Sequence, residues 1–251
     1  MSFKKREILF YANKICPYCQ RVQIIMDDAG ITYDRTEVDF TVNPLWLENI
    51  TPIGKIPVLV DGEYVIFGSG VILEYLNELC GNSYLPQSLK ERAVVRSWCT
   101  VVDRLHDDVR AYFSAKTESE FDAAWQRVCE RLRRLVESSE SHAFYGENIT
   151  ILGAYFSPLF VLLQTLSECA RDFFPPASST AQLSHRLLNN PAVILTNDVY
   201  YRSRLLRFLL SADSHFARVA AHMKNEIFDN DGAQELKAAG YLIPADQKNK
   251  P

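Results

Sequence analysis

The spacing of apolar residues changes along the chain, and each change predicts an element. "EILFYA" (7–12) is a short apolar run of strand character. From Gln20 to Ala29 the spacing becomes helical, with Val22, Ile25 and Met26 on one face and Gly30 as the stop. "ITYDRTEVDF" (31–40) is rich in strand formers, and "NPLWLENI" (43–50) predicts a short helix with Pro44 in its first turn. "KIPVLVDGEYVIFG" (55–68) reads as two strands joined at Asp61-Gly62, a strong hairpin signal. Ser69 is placed to cap a helix through Leu79, whose apolar face is Val71, Ile72, Tyr75, Leu76 and Leu79. The order β-α-β-α-β-β-α predicts a mixed four-stranded sheet with helices on both faces.

"GNSYLPQS" (81–88) is a polar, turn-rich break, and no convincing strand follows it. Helical spacing runs over 90–115, 118–138, 150–170, 181–188 and 191–210, with a shorter helix near His215. "DGAQELKAAGYL" near the C-terminus predicts one or two more amphipathic turns. The predicted organisation is an α/β domain over 1–82, a linker over 83–89 and an all-helical domain over 90–251.

Composition narrows the classes. The 251 residues are 47% hydrophobic and 23% charged, and the net charge is only −4. No global basic field invites nucleic acid, although "YYRSRLLR" (200–207) is locally basic. No run of 18 apolar residues predicts a membrane span, and the N-terminus lacks the apolar stretch of a signal peptide. Of the 6 cysteines, four sit singly in apolar helical surroundings, so a reducing, cytoplasmic setting is expected.

The other two, Cys16 and Cys19, form "CPYC" between the first strand and the first helix. Structural zinc wants four ligands; no second Cys pair is present, and no histidine lies in the first hundred residues. A structural disulfide closing so short a loop would add little. Redox chemistry fits better. A cysteine opening a helix points its sulfur at unpaired N–H groups, whose partial positive charge favours thiolate. Free cysteine titrates at ~8.5, and such sites bring it to roughly 3.5–7.5. Cys16 is therefore the candidate nucleophile. Cys19, within the first turn, is the candidate resolving thiol, and Pro17 removes an N–H that would be orphaned anyway.

"CPYC" also resembles the active-site tetrapeptide of dithiol glutaredoxins, and the order of elements resembles the thioredoxin fold. "NPLWLENITPIGKIPVLVDGEYVIFGSGVILEYLNE" (43–78) follows the long pattern of the glutathione transferase superfamily, including Pro52, Gly54, Ile56, Pro57, Val58 and Leu59. The cysteine-bearing branches are most similar: omega-class transferases, transferase-shaped glutaredoxins, dehydroascorbate reductases and thiol-dependent reductases. The resemblance implies a thioredoxin-like α/β domain followed by an all-α domain, glutathione as co-substrate, no metal and a homodimer.

It also implies site residues. Ile56–Pro57 should be cis, turning the Ile56 backbone toward the cysteinyl part of glutathione like an added strand. Pro17 and Tyr18 should flank the bound thiol. Ser69 and the helix behind it should hold the γ-glutamyl end, but Gly68 stands where the family places an acid for the ammonium. Asn43 stands where omega-class proteins place a lysine for the glycine carboxylate. The family's capping box is reduced to Thr150, with Gly153 in place of the reciprocal acid. Trp98, Asp103, Asp108 and Tyr112 lie along the first long helix, and Trp98 and Tyr112 are assigned to the second-substrate side.

Three functions compete on these residues. The first is a glutathione-dependent thioltransferase acting on small-molecule or protein mixed disulfides, with dehydroascorbate among its candidate substrates. The second is a transferase conjugating glutathione to electrophiles. The third is a binding or regulatory protein on the same scaffold, like the transcription- or translation-associated transferase homologues and the chloride-channel-like proteins.

Overall fold

Alternation in "ILFYA" sends Ile8, Phe10 and Ala12 to one side of the first strand, and all three are buried. That strand organises the N-terminal half in the computed structural model, which describes residues 7–39, 45–140, 148–197 and 200–223. β1 (Ile8–Ala12) pairs in parallel with β2 (Asp34–Glu37) and antiparallel with β3 (Val58–Asp61), and β3 pairs antiparallel with β4 (Tyr64–Phe67). The sheet order is β2-β1-β3-β4. Phe10 lies opposite Leu59, and Asp61 opposite Tyr64 across a turn in which Gly62 has φ +61°.

Helices cover both faces, as the alternation requires. α1 (Pro17–Asp28) and α3 (Ser69–Leu79) pack on the face carrying Ile8 and Phe10. α2 (Leu45–Ile50) covers the other, where Leu47 joins Val38 and Val58. The first core cluster continues without a break into the helical half: α4 (Leu89–Ser114), α5 (Glu118–Glu140), α6 (Ile151–Cys169), α7 (Ser179–Leu188), α8 (Pro191–Thr196), α9 (Tyr201–Ser211) and α10 (His215–Val219). This is a thioredoxin-like α/β domain followed by a helical region.

α6 is the central post. Thr150 caps it by accepting from the Gly153 N–H at 3.0 Å, so the cap survives without a reciprocal acid. By length and composition this helix could cross a membrane, but 78% of its apolar window is buried inside the fold.

Two helical expectations change. The helix predicted over 191–210 ends at Thr196 and a new one starts at Tyr201. Asn197 marks the break: its amide donates back to the Val193 carbonyl at 2.9 Å and its Oδ1 accepts from Gln20 at 2.8 Å. Ser69 is not a cap. Gly68 holds that position with φ +83°, a left-handed conformation suited to glycine, and the Ser69 hydroxyl bonds elsewhere. Asn43, Pro44 and the C-terminal "DGAQELKAAGYL" lie outside the described residues.

Candidate functional site

α1 begins just beyond the C-terminal end of β1, a central strand of the sheet. Cys16 is its N-cap, extended at φ −78° and ψ 114°, and Pro17 is the first helical residue. Both cysteines are buried and unpaired. Burial works against ionising Cys16, but it is outweighed by a hydrogen bond from the Cys19 thiol, by the N–H groups of Cys19 and Tyr18, and by the Arg21 charge. The Cys16 thiol is therefore held below its ordinary value. Cys19 is pushed well above its own, first by burial, then by donating to Cys16 and by the Cys16 charge. The two sulfurs are thus pushed apart, Cys16 toward easier ionisation and Cys19 toward keeping its proton.

Arg21, one turn further along α1, was not singled out in the sequence; its side chain is only 3% exposed. Its Nε donates to Ser69 Oγ at 3.0 Å, and its Nη1 donates to Asp103 Oδ1 of α4 at 2.8 Å. The guanidinium lies 3.9 Å from the ring centroid of Tyr155, on α6, and 4.7 Å from that of Tyr18. Tyr155 reaches the start of α3, where its hydroxyl would sit 2.8 Å from a Cβ added at Gly70. One buried cation thus touches the cysteine helix, α3, α4 and α6.

Beside these groups is a cleft of about 740 Å³ between the α/β domain and the helical region. It brings together Cys16, Pro17, Tyr18, Ile56, Pro57, Gly68 and Ser69, and the Ile56–Pro57 bond is cis. The opposite wall is mostly apolar, with Phe113, Leu162, Leu205, Phe208 and Leu209. Ser69 accepts from Arg21, which leaves its own O–H available to a ligand oxygen.

Trp98 and Tyr112 do not join this cleft. Trp98 borders a separate depression of about 720 Å³ with Arg104, Arg131 and Arg134. Tyr112 is fully buried, stacked on Phe121 with ring centroids 4.3 Å apart and edge-on to Phe173 at 5.2 Å. Its place on the α4 stripe with Val102, Leu105 and Val109 makes it core, not site. Asp108 is also held away, pairing with Arg131 at 2.8 Å.

Among the cleft residues that the sequence reading did not assign to the site are Arg21, His106 and Tyr201. His106 lies on the buried stripe of α4, its ring centroid 5.4 Å from that of Tyr18. Its helical spacing with Val102 and Val109 was the available signal. Burial, and secondarily the Arg21 charge, lower its pKa to about 3, so the imidazole is neutral at physiological pH.

The fold and the cleft can now be compared with known proteins. Residues 10–83 match the family described as "Glutathione S-transferase, N-terminal domain". The match covers the α/β part of the chain and is a similarity of that part alone. The chain is 28% identical over 167 residues to the stringent starvation protein A homolog of Haemophilus influenzae, covering 66% of this chain and 79% of that protein. It is 29% identical over 148 residues to glutathione S-transferase U2 of Arabidopsis thaliana, covering 58% of this chain and 66% of that protein. The structure of rice GST1 in complex with glutathione superposes with a TM-score of 0.71 at 22% identity, covering 82% of this chain and 96% of that one. The matched segment carries Cys16 at the mouth of its first helix, beside the cleft.

Two results are expected. Asp103→Ala leaves the Arg21 guanidinium buried and short of its counter-charge, whereas Arg21→Met leaves Asp103 at 42% exposure, where water can solvate it. Asp103→Ala should therefore cost about 2–4 kcal/mol in urea unfolding and Arg21→Met less; the reverse order contradicts the assignment. The unfolded chain protonates His106 near its ordinary 6.5 and the folded chain only at about 3, so stability is full above ~6.5 and falls as pH drops through that window. Between pH 7 and 5 His106→Gln should remove about 2 kcal/mol of the acid destabilisation measured by urea unfolding.

Proposed function

We propose that the protein is a glutathione-dependent thiol–disulfide oxidoreductase in which Cys16 is the nucleophile. The observation that carries this reading is the paired thiol environment: Cys16 lowered, Cys19 raised, with Cys16 facing a cleft large enough for a tripeptide and a second group. The similarity of residues 10–83 to the glutathione S-transferase N-terminal domain, and a rice protein of the same fold solved with glutathione, support glutathione as the thiol. The free thiols of Cys16 and Cys19 suit a reducing compartment, with the cytoplasm as the proposed setting.

In the first step the Cys16 thiolate attacks the glutathionyl sulfur of a mixed disulfide R–S–S–G. The new bond is Cys16–S–S–G, and the old disulfide breaks to release R–S⁻, which takes a proton from solvent. A second glutathione thiolate then attacks the glutathionyl sulfur, forming oxidised glutathione and returning Cys16 as thiolate. Alternatively Cys19 loses its proton and attacks Cys16, releasing glutathione thiolate and leaving a Cys16–Cys19 disulfide. Two of the influences holding the Cys19 proton, its bond to Cys16 and the Cys16 charge, vanish once Cys16 is in the adduct. Resolution is thereby linked to substrate capture.

The glutathione transferase names of the Arabidopsis relatives support a second reading, conjugation of glutathione to an electrophile seated against the apolar wall. There the reacting sulfur belongs to glutathione, and Cys16 is dispensable.

Cys16→Ser separates the two. Thioltransferase activity with a glutathionylated substrate should fall by more than about a hundredfold, and full retention with strong conjugation of a chlorodinitrobenzene-type substrate would establish the second reading. Cys19→Ser should spare turnover of glutathione mixed disulfides and slow reduction of protein disulfides.

A further inference from the structure

Resting on the thioltransferase reading, we infer that Tyr201 is the hydrogen-bond donor to the thiolate leaving group. Tyr201 opens α9, is 4% exposed, and lines the same cleft as Cys16 from the helical side. The residues suited to the glutathionyl half, Ile56, Pro57 and Ser69, lie on the α/β wall. The sulfur that departs from Cys16 therefore faces α4 and α9, where the exposed Asp107 and Arg110 stand at the solvent side and the α9 lining beyond Tyr201 is apolar. A thiolate released against Leu205 and Phe208 would be poorly solvated, and one buried donor there changes its energy strongly.

The Tyr201 hydroxyl is poorly used by the protein itself. Its acceptor is Gln20 Oε1 at 3.5 Å, the outer limit of a hydrogen bond. Gln20 cannot turn to improve this, because its Nε2 donates to Asn197 Oδ1 at 2.8 Å and Asn197 is tied to Val193. The amide thus holds the phenol in place while leaving its proton available. His106, the other buried polar group of that wall, is engaged with the Tyr155 main chain. Burial, and the nearby Cys16 charge, keep the phenol protonated, so Tyr201 acts as a neutral donor and does not transfer its proton. The covalent balance of the exchange is unchanged. The S–S bond breaks to R–S⁻, Tyr201 holds that charge, and solvent then supplies the proton.

The test is stoichiometric exchange between the reduced protein and two glutathionyl mixed disulfides, with Cys16→Ser as the blank for other thiols. One disulfide releases the aromatic thionitrobenzoate, a stable anion that needs little help; the other releases an alkyl thiolate. Tyr201→Phe retains the packed ring. It should slow the alkyl substrate about tenfold and the aromatic one by less than about twofold. Equal slowing of both, or no slowing of the alkyl substrate, overturns the assignment. These single-turnover rates need no glutathione recycling. A wild-type protein that shows this selectivity but no steady-state thioltransferase activity would refute the proposed function and leave Tyr201 assigned. A wild-type Cys16 unreactive toward both disulfides refutes both.

Discussion

The buried guanidinium of Arg21 is the interaction on which the rest of the site depends. A cation this deep is tolerable only when it is paired and hydrogen-bonded. Here Asp103 supplies the charge, Ser69 an oxygen, and Tyr155 and Tyr18 their ring faces. Those partners come from three helices outside α1 and from the cysteine motif itself, so the α/β domain and the helical region are fixed to each other at this point. The same charge appears among the influences that lower Cys16 and His106. Assembly of the fold and the electrostatic setting of Cys16 are one arrangement.

The cleft follows from that junction. Its α/β wall offers backbone and hydroxyl groups around the cis bond and the start of α3, suited to an extended peptide-like ligand. Its helical wall offers aromatic and aliphatic side chains, suited to a varied second group. Cys16 stands where the walls meet. Relatives named as transferases and as stringent starvation protein homologues share this frame, so fold membership alone does not choose a chemistry. The paired cysteines distinguish the readings, because conjugation requires neither sulfur.

Much of this was legible in the sequence, for local reasons. Alternation through Ile8, Phe10 and Ala12, the Asp61-Gly62 turn and the Cys16-Pro17 helix start are properties of a few neighbouring residues, and the structure realises each of them. Arg21 was not legible, because its burial is set by Asp103 and Tyr155, far along the chain. Tyr201 was hidden by an apparently continuous helix; Asn197, at the break, bonds the distant side chain of Gln20, which no local pattern shows. Tyr112 and Trp98 failed for another reason: aromatic residues on a long helix serve a core as readily as a cleft, and the α4 stripe already pointed Tyr112 inward.

The central claim is that Cys16 ionises more readily than an ordinary thiol despite its burial, because the Cys19 thiol, N–H groups and Arg21 together outweigh the cost of desolvation. The pH dependence of iodoacetamide labelling at Cys16, followed by mass spectrometry, measures this directly. The account predicts a half-maximal rate at a pH below the ~8.5 of a free thiol. A midpoint at or above that value would contradict it.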